Sequence, residues 1–169
     1  MPYRKIHIIG GPGSGKSFIG AKLSALYALP VFDLDDLFWD RHAEHYGVKT
    51  PEEERDQALA RILDGPAWII EGVYYGWLSR SFKEAEKIIV LTSSMGRRDW
   101  RVCKRFLHRK VGLIPSKKAE SLLALWQLIK WNHRYDADHL RRARLSIAHL
   151  QHKIVECKTF GEVVRVLET

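Results

Sequence analysis

The sequence predicts an α/β fold in a single domain over residues 1–169, built on a five-stranded parallel sheet with helices on both faces. Three observations predict it. Short apolar runs rich in Ile and Val recur along the chain, stretches with helical spacing separate them, and a glycine-rich turn joins the first run to the first helix. Strands alternating with helices pair in parallel, and a strand covered on both faces reads as a continuous apolar run rather than an alternating one.

KIHII (5–9) is the first run and ends at glycines. PVFDL (30–34) follows a helical stretch that starts at Lys16 and Ser17, and AWIIE (67–71), KIIVLT (87–92) and HKIVEC (152–157) complete the set. Each is short and bounded by Gly, Pro or polar residues, as strands are. TPEEERDQALARIL (50–63) reads as a helix with Thr50 as N-cap, Pro51 at the first helical position and Glu53 closing a capping box. SSMGRRDWRVCKRFLHRK (93–110) reads as the helix after the fourth strand. SKKAESLLALWQLIKWNHRY (116–135) reads as a long helix, with Trp126 and Trp131 in its core-facing pattern. TFGEVVRVLE (159–168) repeats the Thr-plus-Glu start at Thr159.

Composition narrows the class. Of 169 residues, 46% are hydrophobic and 28% charged, ordinary for a soluble globular protein. Cys103 and Cys157 are the only cysteines and stand far apart, which speaks against a disulfide framework or a cysteine-rich zinc site and fits a reducing cytoplasm. Eight histidines include no HExxH. The apolar N-terminal run is too short for a secretion signal, and LLALWQLIKW (122–131) falls far short of the ~20 residues of a membrane span. The expectation is a cytoplasmic protein, monomer or homodimer, without a membrane partner. Charge is unevenly placed: residues 1–95 hold 11 Lys and Arg against 13 Asp and Glu, whereas residues 96–169 hold 17 against 7. A basic half invites phosphate, whether on nucleic acid, membrane or nucleotide.

Residues 10–17, GGPGSGKS, match GxxxxGK[ST] between a strand and a helix. Gly10, Gly11, Pro12, Gly13, Ser14 and Gly15 allow the backbone to curl so that its N–H groups converge on an anion, and the helix N-terminus adds positive potential. Lys16 reaches the β- and γ-phosphates of a nucleotide, Ser17 offers its hydroxyl to Mg²⁺, and Phe18 follows in the nucleotide-binding stretch. Mg²⁺ takes oxygen ligands, often through water. Asp33, Asp35 and Asp36 follow the second strand and Glu71 ends the third, so all four project beyond the carboxyl edge of a parallel sheet, where ligands bind. Helix capping and solvated loop charge are the alternative for these acids. Arg98, Arg101, Arg105 and Arg109 are spaced to share one face of a helix. That face can cover a transferring phosphoryl group, lie in solvent, or, with Trp100 and Phe106, meet nucleic acid. Trp39 and Tyr74 follow the acidic segments and serve either packing or an acceptor wall; Lys158 and Thr159 follow the last strand.

GGPGSGKSFIGAKLSALYALPVFDLDDLFW resembles the P-loop small-molecule and nucleoside monophosphate kinases. The interval from Lys16-Ser17 to DLD looks like that of shikimate kinases, which implies that Asp33 assists Mg²⁺ and Asp35 meets the acceptor hydroxyl. WIIEGVY resembles the DG segment of adenylate kinases, which implies a Mg²⁺-water role for Glu71. DLDDLFW, WIIEGVY, the basic RVCKRF and the Trp-rich late helix together resemble, over most of the chain, the adenylate-kinase-related DNA-topology-modulation proteins. The resemblance implies a three-layer P-loop NTPase sandwich of nucleoside monophosphate kinase type, strand order 2-3-1-4-5, with a helical lid over roughly 95–118. It implies ATP and Mg²⁺ as cofactors and phosphoryl transfer to a small-molecule or nucleotide acceptor. Lys16, Asp35, Arg101 and Arg105 are then catalytic, and Asp35, Asp36, Gly72 and Arg80 face the acceptor. Two departures matter: no Phe-Pro-Arg follows Glu71, Arg80 being the first arginine, and Phe18 stands where these families carry Thr. Adenylate kinase activity therefore does not follow and the acceptor stays open. The rival reading is a nucleotide-dependent DNA-binding regulator with little kinase activity, its DNA contact weak and non-specific.

Overall fold

A computed structural model describes residues 2–40, 42–45, 47–113 and 121–169. The five apolar runs become β1 (Lys5–Gly10), β2 (Val31–Asp33), β3 (Trp68–Gly72), β4 (Lys87–Leu91) and β5 (Ile154–Cys157). They form one all-parallel sheet in the order β2-β3-β1-β4-β5, the order that the kinase resemblance implies. The helices are α1 (Lys16–Tyr27), α2 (Asp35–Phe38), α3 (Glu52–Leu63), α4 (Ser79–Glu84), α5 (Met95–Lys110), α6 (Leu122–Tyr135), α7 (Arg141–Ile147) and α8 (Phe160–Glu168). A π-helical turn, Asp136–Leu140, joins α6 to α7, and a 3₁₀ segment, Ala148–Lys153, leads into β5.

Alternation along the buried strands makes two cores. Ile6, Ile8, Ile69, Ile89 and Leu91 face α1 and α8, where Ile19, Leu23, Val163 and Leu167 cover them. Ile9, Ile70, Ile88 and Val90 face the other way, beneath Leu59 and Leu63 of α3, Phe82 of α4, Tyr135 at the end of α6, and Ala143 and Ile147 of α7. The result is the three-layer α/β P-loop architecture. His7 interrupts the apolar pattern of β1: it is fully buried, its Nδ1 lies 2.9 Å from Ser81 Oγ, and its ring sits 4.4 Å from that of Phe82. Burial pushes its pKa down to about 3, so it is neutral.

Three local expectations change. Thr50 does not cap α3: Pro51 is the N-cap, and the Thr50 N–H donates to Phe38 O at 3.0 Å. Beside it Trp39 and Lys49 form an antiparallel bridge, so Thr50 helps to close the loop after α2 instead. The described part of the long helix starts at Leu122, capped by Ser121 Oγ accepting from Ala124 N at 3.1 Å; residues 116–120 lie outside the described residues. Trp126 is 58% exposed rather than core, because only the C-terminal half of α6, with Asn132 and Tyr135, is buried. Of the expected lid over 95–118, α5 covers Met95–Lys110, and residues 114–118 lie outside the described residues. The Thr159 start holds: Thr159 Oγ1 accepts from Glu162 N at 3.3 Å while Glu162 Oε2 accepts from Lys158 N at 2.8 Å. No helix among the described residues is long and apolar enough to cross a membrane.

Candidate active site

The chain leaves β1 at Gly10, curls through residues 11–15 and enters α1 at Lys16. Gly13 and Gly15 take left-handed φ values of 71° and 100°, a conformation that a side chain resists. Space is also absent: a Cβ on Gly13 would stand 2.5 Å from Arg98 O, and one on Gly11 would stand 2.6 Å from Arg98 Nη1. Outside hydrogen bonds hold the loop. Ser93 Oγ donates to Ser14 O at 3.1 Å, and Arg101 Nη1 donates to Gly13 O at 3.1 Å and Ser14 O at 3.0 Å. A trans peptide points its N–H opposite its carbonyl, so drawing Ser14 O outward turns the Gly15 N–H inward. No side chain caps α1 and no acid stands in its first turn, which leaves the helix's leading N–H groups to an anion.

Parallel register brings the acids to this loop. Glu71 pairs with Ile8 on one side and Asp33 on the other, at the carboxyl ends of their strands. Lys16 Nζ lies 4.0 Å from Glu71 Oε2, a buried oxygen without a hydrogen-bond partner among the described residues. Burial raises the Glu71 pKa to about 7; Asp33 and Asp35 push the same way, against Lys16 and the Ser17 hydroxyl. Burial also raises Asp33, and its Oδ1 accepts from Asp35 N at 2.9 Å. Asp35 opens α2, where Tyr74 from the loop after β3 donates its hydroxyl to Asp35 Oδ1 at 2.7 Å. Asp35 Oδ2 has no hydrogen-bond partner among the described residues. Lys16, Ser17, Asp33, Asp35 and Glu71 thus form one electrostatic cluster.

The other expected residues divide. Gly72 stands beside this cluster because Leu34 needs its space: a Cβ there would meet Leu34 Cδ1 at 2.8 Å. Asp36 lines a cavity of about 260 Å³ between α2 and α3 together with Thr50, Glu54, Arg55 and Arg61. Phe18 is 60% exposed, with Lys22 Nζ 5.5 Å above its ring and 6.0 Å from that of Phe160. Through Lys22 the turn with Lys158 and Thr159 meets the start of α1. Arg80 does not join the site: it pairs with Asp64 at 2.6 Å and Glu84 at 2.7 Å. Those acids flank the amino edge of the sheet, where Glu84 also pairs with Lys5 at the start of β1.

The arginine series on α5 does not form one solvated face. Arg98 is 1% exposed, and its Nη1 and Nη2 donate to Asp136 Oδ1 and Oδ2, each at 2.8 Å. Asp99 accepts from Asn132 Nδ2 at 2.7 Å and stands 2.7 Å from His133 Nε2. These contacts join α5 to the end of α6. Arg101 is exposed at the loop and Arg105 lies one turn farther along α5. Sequence reading passed over Ser93, the Arg98–Asp136 clamp and the Tyr74–Asp35 bond. Only the last had a signal, an aromatic pair one residue after the Glu-Gly of β3.

With this geometry, two solved structures are similar over nearly the whole chain. One is a gluconokinase from Sinorhizobium meliloti 1021, at 16% identity and TM-score 0.51, covering 96% of this chain and 87% of that one. The other is a shikimate kinase from Acinetobacter baumannii in complex with shikimate, at 14% identity and TM-score 0.58, covering 98% and 93%. Identities this low establish the shared P-loop kinase fold and not the reaction. No family model matches the chain, and no curated protein matches it in sequence.

Proposed function

We propose that the protein transfers the γ-phosphoryl group of ATP to a hydroxyl of a small molecule. The observation that carries this reading is the position of Asp35. It shares the electrostatic cluster of the phosphate loop, Tyr74 holds one of its oxygens, and its other oxygen is open to an acceptor. That two similar folds are a gluconokinase and a shikimate kinase supports a small-molecule acceptor.

The residues fit Mg²⁺. Ser17 supplies a hydroxyl at the loop, and Asp33 and Glu71 stand where they would hold metal-bound water. The unpartnered Glu71 Oε2 is the buried oxygen such a water would satisfy. When bound, Mg²⁺ neutralises phosphate charge and orients the β- and γ-oxygens. The chain does the rest. Loop N–H groups and Lys16 hold the phosphates. Asp35 accepts the proton as the acceptor oxygen bonds to the γ-phosphorus, and the bond from that phosphorus to the β–γ bridging oxygen breaks to release ADP. Arg101 and Arg105, on the helix packed against the loop, stabilise charge on the transferring group.

Lys16→Ala and Ser17→Ala should weaken nucleotide binding and blunt its Mg²⁺ dependence, respectively. Asp35→Asn should lower turnover by about 10²-fold or more with little change in ATP affinity, read by ADP release in an acceptor screen against water alone. Unchanged nucleotide affinity and Mg²⁺ dependence in both loop variants would refute the loop assignment. Loss of ATP binding in a folded Asp35→Asn protein would refute the division of roles.

A further inference from the structure

Resting on the kinase reading above, we infer that the acceptor is a neutral hydroxyl compound carrying a ring face, bound against an aromatic wall formed by Phe38, Trp39, Tyr74 and Trp77. The Phe38 and Tyr74 rings stack at 4.5 Å with 27° between their planes. Trp39 meets Phe38 edge-on at 4.9 Å, and Trp77 lies 5.9 Å from Tyr74. All four are half-buried: Tyr74 and Trp77 pack one side against the core, Arg55 lies over Trp77 and Lys49 over Phe38, and the part of each ring that remains exposed is the surface offered to a ligand. Tyr74 ties this wall to the chemistry, since the ring that stacks on Phe38 also bears the hydroxyl bonded to Asp35. A compound whose hydroxyl reaches Asp35 Oδ2 therefore lies beside the wall. Such surfaces recognise planar heterocycles or the C–H face of a sugar through stacking, not through charge.

Charge argues the same way. Asp33 feels the negative charge of both Asp35 and Asp36, which makes this side of the site acidic. Among its described residues, Arg55 is 8% exposed, gives Nε and Nη2 to Asp56 Oδ1 at 2.9 and 2.8 Å, and lies 4.5 Å over Trp77. Lys49 lies 5.5 Å over Phe38, on a ring of the wall, Arg61 stands at the cavity beside Asp36 on the α3 side, and Arg80 is at the far edge of the sheet. A compact anionic acceptor reaching Asp35 would meet that carboxylate with Asp33 beside it, whereas a neutral ring compound meets the aromatic rings without that repulsion.

The test uses the full chain with its donor site filled by Mg-ADP, so that ring compounds cannot register there. Uridine and phenyl β-glucoside are the neutral ring probes; shikimate, an anionic ring, and gluconate, an open-chain acid, are the anionic ones. Binding is read by tryptophan fluorescence and ligand-observed NMR, and transfer separately with γ-labelled Mg-ATP. Uridine or phenyl glucoside should bind. Tyr74→Ala should weaken that binding by at least about fivefold, the scale of losing one stacking surface, without changing Mg-ADP affinity. Tyr74→Phe should retain binding and lower turnover, because the ring stays and the Asp35 contact goes. Phosphorylation of shikimate or gluconate, with neither ring probe binding, would overturn the inference and leave the kinase reading standing. Binding of a ring probe that depends on Tyr74, with no transfer to any of the four, would leave the wall standing and count against the kinase reading. Failure of both ring probes to bind, whatever the transfer assay shows, overturns the wall.

Discussion

Glu71 and His7 sit in neighbouring strands and respond to pH in opposite directions. The folded chain raises Glu71 from 4.5 to about 7, so below pH 4.5 both folded and unfolded states hold its proton. Between pH 4.5 and about 7 the unfolded chain gives up that proton first, and the stability contributed by the protonated buried carboxyl is lost as pH rises. His7 falls from 6.5 to about 3. Its contribution is complete above pH 6.5 and is lost as pH falls toward 3, because the unfolded chain takes the proton first. Urea unfolding of the metal-free protein across pH 4–8 should therefore show Glu71→Gln gaining stability over the parent as pH rises through this window. His7→Gln should be less sensitive than the parent to falling pH. Identical pH slopes in parent and variants would show that these groups are not buried as described. Neither shift could be read from the chain alone: "IIEG" announces a carboxylate at a strand end, but not that two neighbouring strands and Asp33 enclose it.

At the scale of an element, α5 serves as a buttress to the phosphate loop. Its spacing of arginines was legible, yet spacing cannot distinguish a side chain aimed at solvent from one aimed beneath a loop. Arg98 is buried because Asp136, from a distant turn, neutralises it with two parallel bonds. The pair is asymmetric, since the Asp136 side chain is 46% exposed and that of Arg98 is 1% exposed. Removing the acid strands a buried cation, at a cost of about 3–5 kcal/mol, whereas the acid left by Arg98→Met still reaches water. Asp136→Ala should thus destabilise more than Arg98→Met in urea unfolding, and the reverse order would contradict the burial described. Arg101 grips Gly13 O and Ser14 O, so Arg101→Ala should reduce ATP affinity as well as turnover, while Arg105→Ala should act mainly on turnover. Isothermal titration with ATP separates the two. Equal, unchanged affinities would mean that the carbonyl contacts do not shape the loop.

For the whole molecule, the alternation of apolar runs and helices was enough to give the layers, and the loop motif enough to orient them. The helix after Thr50, by contrast, carried a good start signal that the loop closure at Phe38 overrode. Trp126 carried a good periodicity, yet among the described residues its ring meets only Lys130 and stays largely exposed. Both cases turn on partners distant in sequence. The uneven charge, 17 Lys and Arg against 7 Asp and Glu over residues 96–169, remains a whole-molecule property. Part of it is spent internally, on Asp136, on Glu156 and on the loop carbonyls. Duplex DNA should accordingly bind weakly and without sequence preference, with log K falling linearly in log salt. A sequence-specific complex that survives 200 mM salt, the upper end of the range over which phosphate contacts weaken by about 10³–10⁵, would favour a regulatory role.

The central place of β1 also dictates the order in which the protein can be made. β1 ends at residue 10, but its neighbours in the sheet are Trp68–Gly72 and Lys87–Leu91. A nascent chain has no lateral partner for this strand until β3 has been synthesised at residues 68–72, and the apolar Ile6, Ile8 and Ile9 must wait in the meantime. Parallel pairings this far apart close large loops and are slow. The phosphate loop, as the continuation of β1, cannot take shape before them, so the capacity to bind nucleotide should emerge late in refolding, together with the sheet rather than ahead of it.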